Sequence, residues 1–187
     1  MRLKNVSNIV TIIYIAIICC LAFFAYNHFV ARYENAAYPR NYEEEVSRAA
    51  VEHSVPEYII YAVIRTESSF KQDAVSSKNA VGLMQITPDT FNWLLSKTGE
   101  KLTSEALYDP YVNISYGTLF LSMLYEKFGD WETAYAGYNA GMNRVEKWLL
   151  DPELSDGKKL IDIPFKETRE YVKRVSAAAE IYKRLYY

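Results

Sequence analysis

The sequence has few of the residues that form tight turns, disulfides and metal sites. Its 187 residues include only 7 glycines and 6 prolines, which argues against a collagen-like or disordered chain and against many tight β-turns. Its two cysteines, Cys19 and Cys20, are adjacent, and neighbouring cysteines rarely bridge because the disulfide geometry strains the chain. Only His28 and His53 could supply imidazole ligands. We therefore expect no metal site, and a zinc enzyme is disfavoured.

The chain also lacks the excess of positive charge that nucleic-acid-binding proteins carry. It has 21 basic and 23 acidic residues, for a formal net charge of −2, so no nucleic-acid partner is expected. Hydrophobic residues make up 50% and charged residues 24%, which fits a helical globular domain. The 17 tyrosines suit the flat faces of sugars, but tyrosine also packs helical cores, and composition alone favours the core interpretation.

One long apolar run lies near the N-terminus. Residues 9–30 contain no Asp, Glu, Lys or Arg over 22 positions, and a membrane-spanning helix requires about 20. Arg2 and Lys4 precede the run, so the positive-inside rule predicts that residues 1–8 are a cytoplasmic tail, although Arg32 weakens the contrast. The pattern predicts a single-pass protein of the cytoplasmic membrane with the remaining chain on the extracytoplasmic side.

Two other interpretations of this run are disfavoured. A cleaved signal peptide would have a shorter apolar run followed by small residues, whereas Phe23, Phe24 and Tyr26 crowd that region. A lipoprotein would have a small residue before the modified cysteine, where this chain has Ile18. We therefore predict a retained signal anchor.

The rest of the chain shows helical periodicity and no sustained strand alternation. We predict a polar linker over residues 31–41 and one all-α domain over residues 42–187. Ser54 and Glu57 have the spacing of a capping box, which predicts a helix start. Thr87–Pro88 and Asp109–Pro110 are typical of helix N-termini.

Glu67 is the candidate catalytic residue that the pattern itself indicates. It follows Ile59 and Val63 at steps of four, so it extends the apolar stripe of a helix. A carboxylate there loses hydration, which raises its pKa and keeps it partly protonated near neutral pH, as a general acid requires. The alternative is a glutamate paired with Arg65 or a lysine at a helix end, and position alone does not decide between them.

Four motifs in order carry a resemblance to a known family. The resemblance extends from about Ser54 to Tyr182. The four motifs are Glu67-Ser68-Ser69-Phe70, then Gly82-Leu83-Met84-Gln85, then Ala134 to Gly141 with Val145 and Trp148, and finally Ile163-Pro164-Phe165 with Glu167-Thr168 and Tyr171-Val172. Together they closely resemble the soluble lytic transglycosylases, which are related to goose-type lysozymes. The resemblance implies a lysozyme-like helical domain with a groove for peptidoglycan glycan strands.

The resemblance also assigns roles to individual residues. It implies that Glu67 is the catalytic acid and base, and that Glu167 orients a neighbouring group. The residues expected to line the groove near the cleaved bond are Ser76, Met84, Gln85, Tyr138, Asn139 and Tyr171. Their amides, hydroxyls and flat rings suit sugar substituents, whereas Met84 could equally be core filler.

The implied mechanism needs one carboxyl group and no cofactor. Glu67 protonates the bridging oxygen, then removes the proton of the sugar's own 6-hydroxyl as a 1,6-anhydro ring closes. Two alternatives stay open: a goose-type muramidase that hydrolyses the same bond, with Asp73 or Glu167 as a second carboxylate, and a catalytically silent module that binds peptidoglycan.

The sequence departs from the family's usual pattern at Asn79, where glycine is common, and at Met142 and Asn143, where Pro-Gly is common.

Overall fold

The computed structural model describes residues 2–187, and for residues 2–12 and 31 it describes the backbone only. Two compact units are present, Met1–Pro39 and Arg40–Tyr187. The helices of the described chain are α1 (Arg2–Ala37), α2 (Glu43–His53), α3 (Glu57–Ser68), α4 (Pro88–Thr98), α5 (Pro110–Phe128), α6 (Trp131–Ala140), α7 (Met142–Leu149) and α8 (Lys166–Tyr186), with a 3-10 turn at Ser104–Tyr108.

The first unit consists mainly of α1. Its stretch Ile13–Ala37 is long and apolar enough to cross a membrane. The most apolar 18 residues of this stretch have a mean hydropathy of 2.0, and none of them is buried within the protein. The helix continues to Ala37, so residues 31–37 of the predicted linker are helical. Of the predicted tail (residues 1–8), Met1 and all the side chains lie outside the described part, as do the side chains of residues 9–12.

The second unit is a helical domain built around α3. All residues from Ile59 to Ile64 are at most 1% exposed, so α3 is buried on every side and not only along the predicted stripe. It packs mainly against α8, while α2 packs against α5 and α6 lies against both α5 and α8. Among the described residues the extended pairings are isolated bridges, such as Val81 with Ile86, rather than strands.

The helix starts at α4 and α5 follow the sequence prediction. Thr87 Oγ1 accepts a hydrogen bond from the Thr90 backbone N–H at 3.2 Å, and Asp109 Oδ1 accepts one from Val112 at 3.0 Å. Both caps are followed by proline at the first helical position. Each cap satisfies a backbone donor that the helix itself leaves unpaired.

The predicted capping box at Ser54 and Glu57 is wrong. Ser54 has a left-handed backbone (φ 56°), and its N–H donates to Ala50 O, so it ends α2 instead of starting α3. Pro56 precedes α3 and makes no side-chain cap. The spacing fitted a capping box, but α2 runs to His53 and takes Ser54 as its C-terminal cap.

Candidate active site

Glu67 lies in the last turn of α3, where the chain leaves the core. The next residue, Ser68, is buried, and its hydroxyl donates to Leu83 O at 2.8 Å, which ties the helix end to the following loop. Ser69 and Phe70 both have positive φ values, 50° and 64°, so the chain reverses sharply there. Glu67 is therefore held half-buried at a fixed helix end.

The surroundings of Glu67 favour its protonated form. Burial raises the pKa of Glu67 from 4.5 to about 7, although the Tyr171 hydroxyl and the Arg174 guanidinium partly offset this effect by stabilising the charged form. The Tyr171 oxygen is itself buried and has no partner in full hydrogen-bond geometry among the described residues. Its contact with Glu67 is therefore electrostatic rather than a well-formed hydrogen bond. Near neutral pH Glu67 can both donate and accept a proton.

Tyr138 and Tyr171 flank Glu67. Burial, and then the nearby Glu67 charge, raise the pKa of each phenol well above its usual value, so both hydroxyls stay protonated. Tyr138 donates to Met84 O at 2.8 Å. The structure thus brings these two predicted site residues to Glu67 from α6 and α8.

The loop from residue 74 to 86 forms one side of the site and is fixed by a buried amide. Asn113, on α5, is 1% exposed. Its Oδ1 accepts from Met84 N at 2.8 Å, and its Nδ2 donates to Val81 O at 2.9 Å and Leu107 O at 2.8 Å. This amide sets the course of the loop backbone. Sequence reasoning missed Asn113, for which the only signal was a polar residue in a largely apolar helix.

Met84 lies in the core and not in the groove. Its side chain is 0% exposed. It packs so closely on Gly117 that a Cβ there would come within 2.8 Å of the Met84 Cβ. The expectation that the Met84 side chain lines the groove is therefore wrong, because this packing removes it from the surface. Its backbone N–H and carbonyl instead join the loop to Asn113 and Tyr138.

Gln85 and Ser76 shape the same loop. Gln85 has a positive φ of 51°, and its amide nitrogen donates to Ala74 O at 3.0 Å and Gly82 O at 2.9 Å. Ser76 Oγ accepts from the backbone N–H of Ala80 at 3.1 Å. Both side chains are half-buried, and the contacts described for them lie within the loop. Asn79 stands where family members commonly have glycine, and it has a left-handed backbone (φ 59°), which asparagine adopts more readily than most residues.

Asn139 is oriented by α8, but not through the predicted residue. Thr168 Oγ1 donates to Asn139 Oδ1 at 2.8 Å, so the amide nitrogen remains a donor for a substrate. Glu167 is instead exposed, and its Oε1 lies 3.6 Å from Lys78 Nζ. The expected orienting role of Glu167 is therefore carried by its neighbour Thr168. Glu167 and Thr168 belong to the same motif, and the sequence did not show which of them faces inward.

In the described part of the chain, no three His, Cys, Asp or Glu side chains come together in an arrangement that could hold a metal ion.

Comparison with known proteins places this site in a family. The family described as Transglycosylase SLT domain matches residues 44–161. The soluble lytic murein transglycosylase of Escherichia coli K12 is 34% identical over 152 residues, covering 78% of this chain and 23% of that protein. The membrane-bound lytic murein transglycosylase C of Haemophilus influenzae Rd is 32% identical over 117 residues, or 57% and 33% of the two chains. This chain thus spans about a quarter to a third of the length of these relatives.

Solved structures show the same fold. An inactive mutant of the lytic transglycosylase Slt from Pseudomonas aeruginosa aligns with a TM-score of 0.71 and 37% identity over 79% of this chain and 24% of that one. The 70 kDa soluble lytic transglycosylase of Escherichia coli aligns with a TM-score of 0.73 and 31% identity over 81% and 25%. The expected lysozyme-like all-α fold and the resemblance are confirmed, and the chain belongs to the Transglycosylase SLT domain family.

Proposed function

We propose that this chain is a peptidoglycan lytic transglycosylase, which cleaves the β-1,4 bond between N-acetylmuramic acid and N-acetylglucosamine and leaves 1,6-anhydro ends. The observation that carries the proposal is the state of Glu67. It is the carboxyl group of the described part whose pKa is raised, to about 7, and it sits between Tyr138 and Tyr171 in a domain of the transglycosylase family. A carboxyl poised near neutral pH can serve both proton transfers of the reaction.

The reaction needs only Glu67 and the substrate. Protonated Glu67 donates its proton to the bridging oxygen as the bond to the muramic C1 breaks, with assistance from the muramic acetamido group. The resulting carboxylate then takes the proton of the 6-hydroxyl, whose oxygen bonds to C1 and closes the anhydro ring. Glu67 is protonated again at the end, and no water is consumed. No metal or organic cofactor is required.

We propose that the groups around Glu67 hold the sugars. Tyr138 and the buried Tyr171 lie beside Glu67 and keep water from its carboxyl group, and the Asn139 amide nitrogen can donate to a sugar because Thr168 fixes the amide oxygen. The hydrogen bonds of Gln85 and Ser76 fix the shape of the loop that borders the groove. Arg174, which the sequence did not indicate, stabilises the carboxylate form that exists between the two proton transfers.

The positions of the other acidic side chains support the transglycosylase over the muramidase. Burial, Tyr171 and Arg174 are the influences that set the pKa of Glu67. Asp73 is exposed, and Glu167 is exposed and lies beside Lys78. A hydrolase would use a second carboxylate within about 5 to 9.5 Å of the first. The silent binding module is disfavoured because a binding site has no need for a carboxyl poised to transfer protons.

We further propose that residues 9–30 anchor the chain in the cytoplasmic membrane and that residues 42–187 form the catalytic domain outside it. An N-terminal helix of sufficient length and apolarity and a relative named as membrane-bound are compatible with anchoring. The basic residues Arg2 and Lys4 support the orientation. Protease added to intact spheroplasts should degrade the domain. Protection of the domain until the membrane is lysed would contradict this topology.

The activity is tested by mass spectrometry of the products that the full-length chain, in detergent, releases from purified peptidoglycan. Products one water lighter than the hydrolytic fragments, lost in Glu67→Gln but kept in the exposed-surface control Glu126→Gln, are expected. Their rate of release should fall as the pH rises above about 7, since Glu67 then loses its proton. Reducing-end products would instead indicate the muramidase. No products from the unmodified chain would favour the binding module.

A further inference from the structure

A small cavity lies at the other end of the helices that surround Glu67. It has a volume of about 230 Å³ and is enclosed by α3, α6 and α8. Tyr58, which lines it, precedes Glu67 by nine positions on α3, or about 13 Å along the helix. On α8, the lining residue Glu180 follows Tyr171 by nine positions as well. The cavity is therefore separate from the candidate active site. Pockets for drug-sized ligands have about 300–1,000 Å³, so this one suits a small group.

Aromatic rings form one wall of the cavity. Trp131 and Tyr135 of α6 and Tyr58 of α3 line it. The Trp131 ring is held by stacking, with its centroid 4.0 Å from that of Tyr125 and 6.0 Å from that of Tyr135. Tyr135 is 3% exposed, and the side-chain interactions described for it are ring stacking and electrostatic, so its hydroxyl can accept a hydrogen bond from a ligand. Such rings attract cations and alkyl groups.

Carboxylates from two helices form the rim. Glu132 of α6 and Glu180 of α8 are exposed and line the cavity. Ser176 Oγ, on α8, donates to Glu132 Oε1 at 3.3 Å, which orients that carboxylate between the two helices. Burial is the largest cause of the raised pKa of Tyr135, and the carboxylates that add to it are Glu132, Asp130 and Glu180. The potential at the buried phenol is therefore negative.

A cation of the chain itself already uses this aromatic wall. Lys183 Nζ lies 5.6 Å from the centroid of the Tyr58 ring. The carboxylates of Glu132, Glu180 and Asp130 outnumber this ammonium, so the region stays acidic and disfavours an anion. A primary alkylammonium ligand matches every group present, because it has three N–H donors for carboxylate and phenol oxygens and an apolar stem for the rings.

We propose that this cavity binds a primary alkylammonium group, whose stem packs on Trp131 and Tyr58 while its N–H groups donate to Glu132 and Glu180. Two sources share this chemistry: a small free diamine and the amino group of a lysine-type side chain in a peptide. The site makes no use of Glu67, so it stands or falls separately from the proposed reaction.

The test follows the tryptophan indole N–H signals of the full-length, nitrogen-15-labelled chain in non-ionic detergent near neutral pH while 1,5-diaminopentane is added. The chain has 3 tryptophans. The signal that is missing in Trp131→Phe should shift and saturate, whereas those of Trp93 and Trp148 should stay in place. The neutral analogue 1,5-pentanediol should cause no saturable shift. No shift with the diamine, or an equal shift with the diol, would overturn the proposal.

Charge variants test the two carboxylates against a matched control. Combining Glu132→Gln with Glu180→Gln should weaken diamine binding about tenfold. Glu153→Gln, the same change at an exposed position outside the cavity, should leave affinity within about twofold of the parent chain. Lys183→Gln should strengthen binding about twofold to fivefold, because it removes the ammonium that competes for Tyr58. Unchanged affinity in the double variant, or an equal loss in Glu153→Gln, would refute the assigned contacts.

A second pair of probes distinguishes the sources of the amine. Acetyl-lysine amide carries the ammonium on a peptide unit, and acetyl-norleucine amide has the same stem without it. Tighter binding of acetyl-lysine amide than of the diamine would assign the site to a peptide-borne amine, and the reverse order would assign it to a free diamine. Equal binding of the lysine and norleucine compounds would contradict recognition of the ammonium.

Discussion

Replacing Glu67 with glutamine is expected to stabilise the Arg40–Tyr187 unit at about pH 8 and to leave its stability at about pH 4 nearly unchanged. The pKa of Glu67 is about 7 in the folded protein, against 4.5 for the unperturbed side chain. The folded state therefore binds the proton more tightly than the unfolded state, so a rise in pH between these values favours unfolding. Below 4.5 the side chain is protonated in both states, and the difference disappears.

The size of the effect follows from this difference in pKa. A rise from 4.5 to about 7 corresponds to a penalty of roughly 3 kcal/mol once both states are ionised, at about 1.4 kcal/mol per pH unit. Glu67 is half-buried and keeps some contact with water, so we expect a measured stabilisation of about 1–3 kcal/mol in Glu67→Gln. For a domain of this size, that corresponds to a rise in melting temperature of roughly 3–10 °C.

The measurement is thermal unfolding of the full-length chain in a non-ionic detergent, followed by near-ultraviolet circular dichroism at about pH 4, 6 and 8. This signal reports the packing of aromatic side chains, of which the Arg40–Tyr187 unit has many. Glu126→Gln, the same change at an exposed position on α5, is the control and should show a small difference that does not grow with pH. If the Glu67→Gln difference is equal at low and high pH, or if the variant is less stable at high pH, burial does not hold the proton on Glu67.

Three further changes test the supports of the site. Gly117→Ala should destabilise the domain by about 1–3 kcal/mol in chemical denaturation, because its Cβ would come within 2.8 Å of the Met84 Cβ. Asn113→Ala should cost about 2–4 kcal/mol by the same assay, since it removes the partner of the Met84 N–H and of the Leu107 carbonyl, whereas the Val81 carbonyl keeps its bond from the Ile86 N–H. Thr168→Val should lower the rate of product release about tenfold with less than about 1.5 kcal/mol of destabilisation, and Thr168→Ser should restore the rate, because only the hydroxyl fixes Asn139.

The sequence predicted the helices whose ends carry strong local signals. Thr87 and Asp109 cap their helices as expected because cap, proline and apolar periodicity agree there. Ser54 does not cap α3 as predicted. It lies between two helices, and its spacing to Glu57 does not show that it ends α2 instead of starting α3. The end of α1 was missed for a similar reason. The polar composition after residue 30 suggested a linker, but polar residues also continue a helix.

Within the candidate site, the sequence indicated Glu67 but not the residues that hold the surrounding groups in place. Periodicity alone placed Glu67 at the end of an apolar face, and the family resemblance brought Tyr138, Asn139 and Tyr171 to it. The buried position of Met84 depends on its packing against Gly117, 33 positions away. The hydrogen bond that orients Asn139 comes from Thr168, 29 positions away. Local patterns carry no information about such contacts, so these roles came only with the fold.

The position of Glu67 also conflicts with the ordinary rules of helix stability, and that conflict acts in the same direction as the burial that raises its pKa. The C-terminal turn of a helix carries partial negative charge from its unpaired carbonyls, so a carboxylate is disfavoured there and a basic residue is preferred. Burial makes the larger unfavourable contribution to the charged form, which the Tyr171 hydroxyl only partly offsets. Both act only while α3 and the loop stay fixed, because water entering beside Glu67 would rehydrate the carboxylate. The contacts of Ser68 with Leu83 and of Asn113 with the loop therefore keep the proton on Glu67 as well as holding the fold together.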